Sequence, residues 1–215
     1  GLNVYTTLQS SDQEVAYRAL RRGIMDFERR QAYRGPEKFI SLPNDPQEMD
    51  DVIDDALDEN PDNGDVMSAI VLEADAKKIK AVRRNSEIVE ITGDGLKPAQ
   101  SGLADKAPPN IKIRRGALIR VSKTTKGTWE ITQLPEVEGA FVALDPRDGS
   151  IKALVGGFDF QKNKFNHVTQ AWRQPGSSFK PFIYSASLEK GLTASTVIND
   201  SPLFFDADVT GGQPW

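Results

Sequence analysis

The rhythm of apolar and polar positions changes along the chain, and each change marks an element. Residues 4–8 alternate weakly, as a short strand does. Ser11 and Glu14 then stand three apart as a capping box, ahead of Val15, Ala16, Ala19, Leu20, Gly23, Ile24 and Phe27, which recur at helical spacing. Arg18, Arg21, Arg22, Arg29 and Arg30 fall mainly on the other side and read as a solvated face rather than an anion site. Arg34-Gly35-Pro36 ends the helix.

A second helix is expected over residues 46–60, capped by Asp45, with Val52, Ile53, Ala56 and Leu57 as a narrow apolar side. Its remaining surface is acidic, through Glu48, Asp50, Asp51, Asp54, Asp55, Asp58 and Glu59, and solvation is favoured over cation binding. Residues 58–65 lack the spacing of a calcium loop, so no metal is expected there. From residue 65 the period falls to two. Runs at 66–74, 78–84, 88–92, 117–122 and 128–133 predict five short strands, enough for a small barrel. The connection at 93–115 carries Pro98, Pro108 and Pro109, and an irregular, partly mobile loop is expected. A hairpin follows, with strands at 140–144 and 151–155 joined by Asp145-Pro146-Arg147-Asp148-Gly149.

Candidate chemistry lies beyond the hairpin, at Arg173-Gln174-Pro175-Gly176-Ser177-Ser178-Phe179-Lys180-Pro181-Phe182-Ile183-Tyr184. Pro175-Gly176 marks a turn, after which Ser177 begins a helix and Lys180 falls on the same side one turn later. A hydroxyl, an amine within reach of it and the free N–H groups of a helix start are the parts of an activated nucleophile. Pro181 is tolerated within the first turn. The second Ser-x-x-Lys, Ser187 to Lys190, precedes Gly191 and reads as a helix end, where the dipole opposes a developing negative charge, so Ser187 is structural. His167, the single histidine, is expected to be hydrogen-bonded or at the surface, and Trp129 to pack at a core or its rim.

Composition narrows the classes. The 215 residues carry 27 basic and 31 acidic side chains, a net charge of -4, which speaks against a nucleic-acid footprint. There is no cysteine, so disulfides and thiol chemistry are excluded. No stretch approaches the roughly 18 apolar residues of a membrane-spanning helix, and the start at Gly1 without a signal peptide reads as an internal piece of a longer chain.

Three ordered blocks, Glu138 to Pro146, Gly149 to Gly157 and Arg173 to Pro181, closely resemble the transpeptidase region of class A penicillin-binding proteins, especially the 1A group. Residues 1–7 resemble the segment that opens this region after the glycosyltransferase domain. The link from Ser-x-x-Lys to penicillin-binding proteins is a general one. The resemblance implies an α+β multidomain chain in which an OB-like five-stranded β-barrel is inserted beside the N-terminal part of a serine β-lactamase/DD-peptidase-type transpeptidase fold. It divides as a linker strand and helix (1–35), an acidic helix with the OB-like insert (36–134) and a truncated transpeptidase part (135–215). Catalysis would fall to Ser177 and Lys180, with no cofactor and no metal. Peptidoglycan stem peptides and β-lactams are the implied ligands, on the periplasmic side of the bacterial inner membrane, with the membrane reached only through an N-terminal helix outside these residues. The family's Ser-x-Asn and Lys-Thr-Gly elements occur nowhere in residues 1–215, so this piece alone is expected to be inactive. The alternative is a non-catalytic OB-like module that docks a regulatory protein.

Overall fold

A computed structural model describes residues 1–212; residues 213–215, the end of the expected 135–215 region, lie outside the described residues. Contacts divide the chain into two compact units, Gly1–Ala171 and a second that starts at Trp172.

In the first unit, helix α1 spans Ser10–Glu28. Residues 4–8 form no strand: Val4 and Tyr5 are exposed, and an alternation this short does not hold without a partner strand. Near its end the segment is tied down, where the Thr7 hydroxyl donates to the Ile151 carbonyl (2.7 Å) and the Gln9 amide to that of Lys152 (3.0 Å). That anchor sets the helix start. The cap is therefore Gln9, with no side-chain hydrogen bond, and the expected Ser11–Glu14 box does not form; the Glu14 carboxylate pairs with Arg18 instead. Ala16, Ile24 and Met25 turn inward, whereas Val15 is exposed.

Residues 38–132 hold β1 (Lys38–Phe39), α2 (Pro46–Glu59), β2 (Met67–Ala74), β3 (Lys78–Arg83), β4 (Glu87–Thr92), α3 (Gln100–Leu103), β5 (Ala117–Lys123) and β6 (Trp129–Thr132). All neighbouring strands pair antiparallel in the order β1-β5-β2-β3-β4, with β6 also on β5. The expected barrel is thus not closed. One edge of β5 takes β2 and the other is shared by β1 and β6, while the space between β4 and β6 is occupied by a 3₁₀ turn, Gly93–Ala99. At Gly95 the backbone passes so close that a Cβ would stand 2.2 Å from the Trp129 carbonyl oxygen.

The connection from residue 93 is accordingly packed rather than loose. Leu96, Ala99, Leu103 and Ile113 join Val71, Ile79, Val89, Ile91, Ile119, Val121 and Ile131 in the main core, and Trp129 packs at its margin. The opposite face of the sheet is covered by α2, whose Ile53, Ala56 and Leu57 meet Ile70 and Val82. This double coverage explains why β2 is buried at consecutive positions from Ser68 to Val71. The α2 start is as the sequence predicts: the Asp45 carboxylate accepts from the Gln47 and Glu48 amides (3.0 and 3.1 Å).

Strands β7 (Phe141–Leu144) and β8 (Ile151–Val155) form the expected hairpin. Helix α1 packs on it through Ala16 against Ala153 and Val155. The Gln13 side chain completes the β8 edge, donating to the Leu154 carbonyl and accepting from its amide, both at 2.8 Å. In the turn, Asp145 accepts from the Arg147 amide and guanidinium (3.0 and 2.8 Å), with Lys152 3.4 Å away. The Arg147 guanidinium above all holds the Asp145 carboxyl well below the usual carboxylate range. Its folded value is depressed, so its contribution to stability is complete above the ordinary carboxylate range, about pH 4, and is lost as pH falls below that. Acid titration of hydrogen exchange at the hairpin amides checks this: Asp145→Asn should loosen the turn at neutral pH and flatten its response to acid.

The second unit holds a 3₁₀ turn, Gly176–Phe179, then α4 (Lys180–Glu189) and α5 (Ala207–Thr210). Among the described residues no helix is long and apolar enough to cross a membrane.

Candidate active site

Pro175 lies in the right-handed helical region (φ -65°, ψ -27°), and Gly176 then turns to φ +52°. A residue with a Cβ is strained at that angle, so glycine is what lets the chain reverse into the following turn. The Ser178 amide closes it on the Pro175 carbonyl at 3.1 Å. Ser177 sits inside this 3₁₀ turn, and Lys180 is the first residue of α4. Pro181 falls at the start of the helix, where its missing N–H leaves no bond unmade.

Both side chains are exposed, and among the described residues no hydrogen bond joins the Ser177 hydroxyl to the Lys180 amine. They are one helical turn apart along a continuous backbone helix, the separation at which side chains share a face. Ser187 donates to the Ile183 carbonyl at 2.8 Å, one turn back in α4, and Gly191 ends the helix at φ +90°. His167 places Nδ1 2.8 Å from the Gly156 carbonyl oxygen, with Phe165 edge-on to its ring. No group of three or more His, Asp or Glu side chains is placed to hold a metal ion among the described residues.

Arg21, read from the helical pattern as part of a solvated face, is instead buried at 6 % exposure. Its guanidinium meets Asp65 Oδ1 at 2.6 Å, the Asn63 carbonyl at 2.8 Å and Asn63 Oδ1 at 2.9 Å, and lies 4.1 Å from the centre of the Phe158 ring. Beside it the Tyr17 hydroxyl donates to Asp159 at 3.1 Å, and burial first, then the Asp159 charge, push that phenol up. One helical side chain thus fastens the loop before β2 to the segment after β8. Arg21→Met should destabilise the first unit by about 1–3 kcal/mol, the scale of charge-assisted hydrogen bonds lost and acceptors left unpaired, since Asp65 itself remains hydrated. Arg21→Lys should recover little of this, since an ammonium cannot reproduce the planar fork. Chemical unfolding of the three proteins checks both.

Residues 33–137 match the penicillin-binding protein OB-like domain family, and residues 139–213 the penicillin-binding protein transpeptidase domain family. Over its whole length the chain is 40% identical to penicillin-binding protein 1A of Neisseria lactamica. It is 36% identical to penicillin-binding protein 1A of Pseudomonas aeruginosa over 95% of the chain. It spans 27% and 25% of the length of those curated relatives. The crystal structure of penicillin-binding protein 1A from Haemophilus influenzae superposes on 99% of the chain with a TM-score of 0.80 at 32% identity, using 30% of that structure.

Proposed function

The chain belongs to the penicillin-binding protein family, and from that premise we propose that it is the middle of a peptidoglycan synthase whose serine DD-transpeptidase forms its acyl-enzyme on Ser177. One observation carries the reading: Ser177 and Lys180 lie one turn apart where a glycine-dependent turn runs into α4, inside the region matched to the transpeptidase domain. Ser177 Oγ attacks the carbonyl carbon of the D-alanyl-D-alanine bond in a stem peptide while Lys180 takes its proton. The tetrahedral intermediate expels D-alanine, whose amine receives that proton. The amine of a neighbouring stem peptide then displaces Ser177 from the acyl-enzyme and leaves a cross-link. A β-lactam acylates the same oxygen.

The Ser-x-Asn and Lys-Thr-Gly elements that complete such a site are not in residues 1–215, so these residues alone carry no turnover. In the full-length protein the reaction faces the periplasm, with the membrane anchor outside this chain. Stem-peptide cross-linking by the full-length protein tests the reading. The expected result is one D-alanine released per cross-link, blocked by a β-lactam. Release that a β-lactam leaves untouched, or none from an enzyme that binds its substrate, contradicts it.

A second role for the insert is favoured by α2, where Asp50, Asp51, Asp54 and Asp55 are exposed and without an ion-pair partner among the described residues. That face suits a basic surface of a regulatory protein. Deleting residues 36–134 from the full-length protein separates the roles: acylation survives and activation by the partner is lost if the insert docks it.

A further inference from the structure

Where the chain enters and leaves the insert, a set of polar side chains ties the two passages to the end of α1. Glu28, 2 % exposed, accepts at Oε1 from Arg34 Nη1 (2.6 Å) and from Gln133 Nε2 (2.7 Å). Gln133 in turn accepts from the Arg34 amide (3.0 Å), and Arg34 Nη2 donates to the Leu134 carbonyl (2.6 Å). The outgoing chain at residue 34 and the returning chain at 133–134 are thereby fastened through one carboxylate.

Two buried atoms in this joint have no hydrogen-bond partner among the described residues: Glu28 Oε2 and the Tyr33 hydroxyl oxygen. Both residues line the same small cavity, about 20 Å³, between the end of α1 and β6. A cavity needs roughly 10–15 Å³ on that measure to hold a water, and a water is kept there by polar partners in the lining. We infer that one water molecule occupies it, donating a hydrogen bond to Glu28 Oε2 and accepting one from the Tyr33 hydroxyl.

Charge favours water over a cation. The Glu28 carboxylate is already neutralised by Arg34, and Arg29, which also lines the cavity, adds positive charge, although it is itself paired with Glu130 at 2.7 Å. Burial first, and the Glu37 charge after it, push the Tyr33 phenol upward, so it stays a donor. A carboxylate oxygen that accepts and a phenol that donates, both without a hydrogen-bond partner among the described residues, are complementary to a single water. The water completes the joint by linking the helix end to the first residue of the OB-like region.

Crystal structures of the full-length protein, with Tyr33 intact and as Tyr33→Phe, test this at a resolution where waters are seen. The expected result is one water within hydrogen-bonding distance of both atoms in the first and its loss in the second. Amide exchange at residues 34 and 133–134 should then rise about fivefold, as for one hydrogen bond removed. A dry cavity, a direct Tyr33–Glu28 hydrogen bond, or a water unmoved in Tyr33→Phe overturns the inference. The structure with Tyr33 intact decides even where the variant fails to fold.

Discussion

Ser177→Ala in the full-length protein should reduce stem-peptide cross-linking to background, a loss on the order of 10⁶ in kcat as for other serine nucleophiles removed from an acyl-transfer site. The fold should be unaffected, because the Ser177 side chain is exposed and makes no hydrogen bond among the described residues. The adjacent Ser178 is the informative control. It lies two positions before Lys180 rather than three, so its side chain points away from the lysine's face, and its amide, not its hydroxyl, holds the turn. Ser178→Ala should therefore keep cross-linking within about tenfold of the parent, roughly 1.4 kcal/mol in barrier. Rates from the two variants, with circular dichroism to show intact folding, decide which hydroxyl reacts.

Lys180→Ala has the next largest effect. A positioned base contributes about 10²–10⁴ in rate, and its loss should appear in the rate of acylation while the site of acylation stays the same. The helix start should persist, since Pro181 and the Gly176 turn define it and the Lys180 side chain caps nothing. Stopped-flow acylation by a chromogenic β-lactam separates this from a folding defect: slow acylation that still reaches one adduct per chain is expected. Unchanged acylation would move the base to another residue.

The strands of the insert and the acidic helix could be read from the sequence because their signals are local. Period-two runs give β2 to β6 within a residue or two, and Asp45 before Pro46 is a cap with its mechanism in view. What the sequence hid is long-range. Barrel closure depends on which edges meet, and here β5 shares one edge between β1 and β6 while residues 93–103 take the remaining space. The prolines of that connection suggested looseness, yet Pro98 fits a 3₁₀ turn whose Leu96 and Ala99 are core.

Arg21 was hidden for the same reason. A helical wheel assigns it a side but cannot supply Asn63, Asp65 and Phe158, which arrive from 42, 44 and 137 residues away. The only sequence signal was its place at the apolar boundary, one position after Leu20 and three before Ile24. The turn before α4, where the nucleophile is proposed, was legible as a turn through Pro175-Gly176, although the left-handed angle of Gly176 is a detail the backbone alone supplies.

The measurement that bears most directly on the catalytic role proposed for this chain is the location of a β-lactam adduct on the full-length protein, by intact mass followed by peptide sequencing. One adduct per chain, on the peptide holding Ser177 and on that oxygen, is the expected result. An adduct on any other residue, or none on a folded protein, would contradict the acyl-enzyme assigned to Ser177.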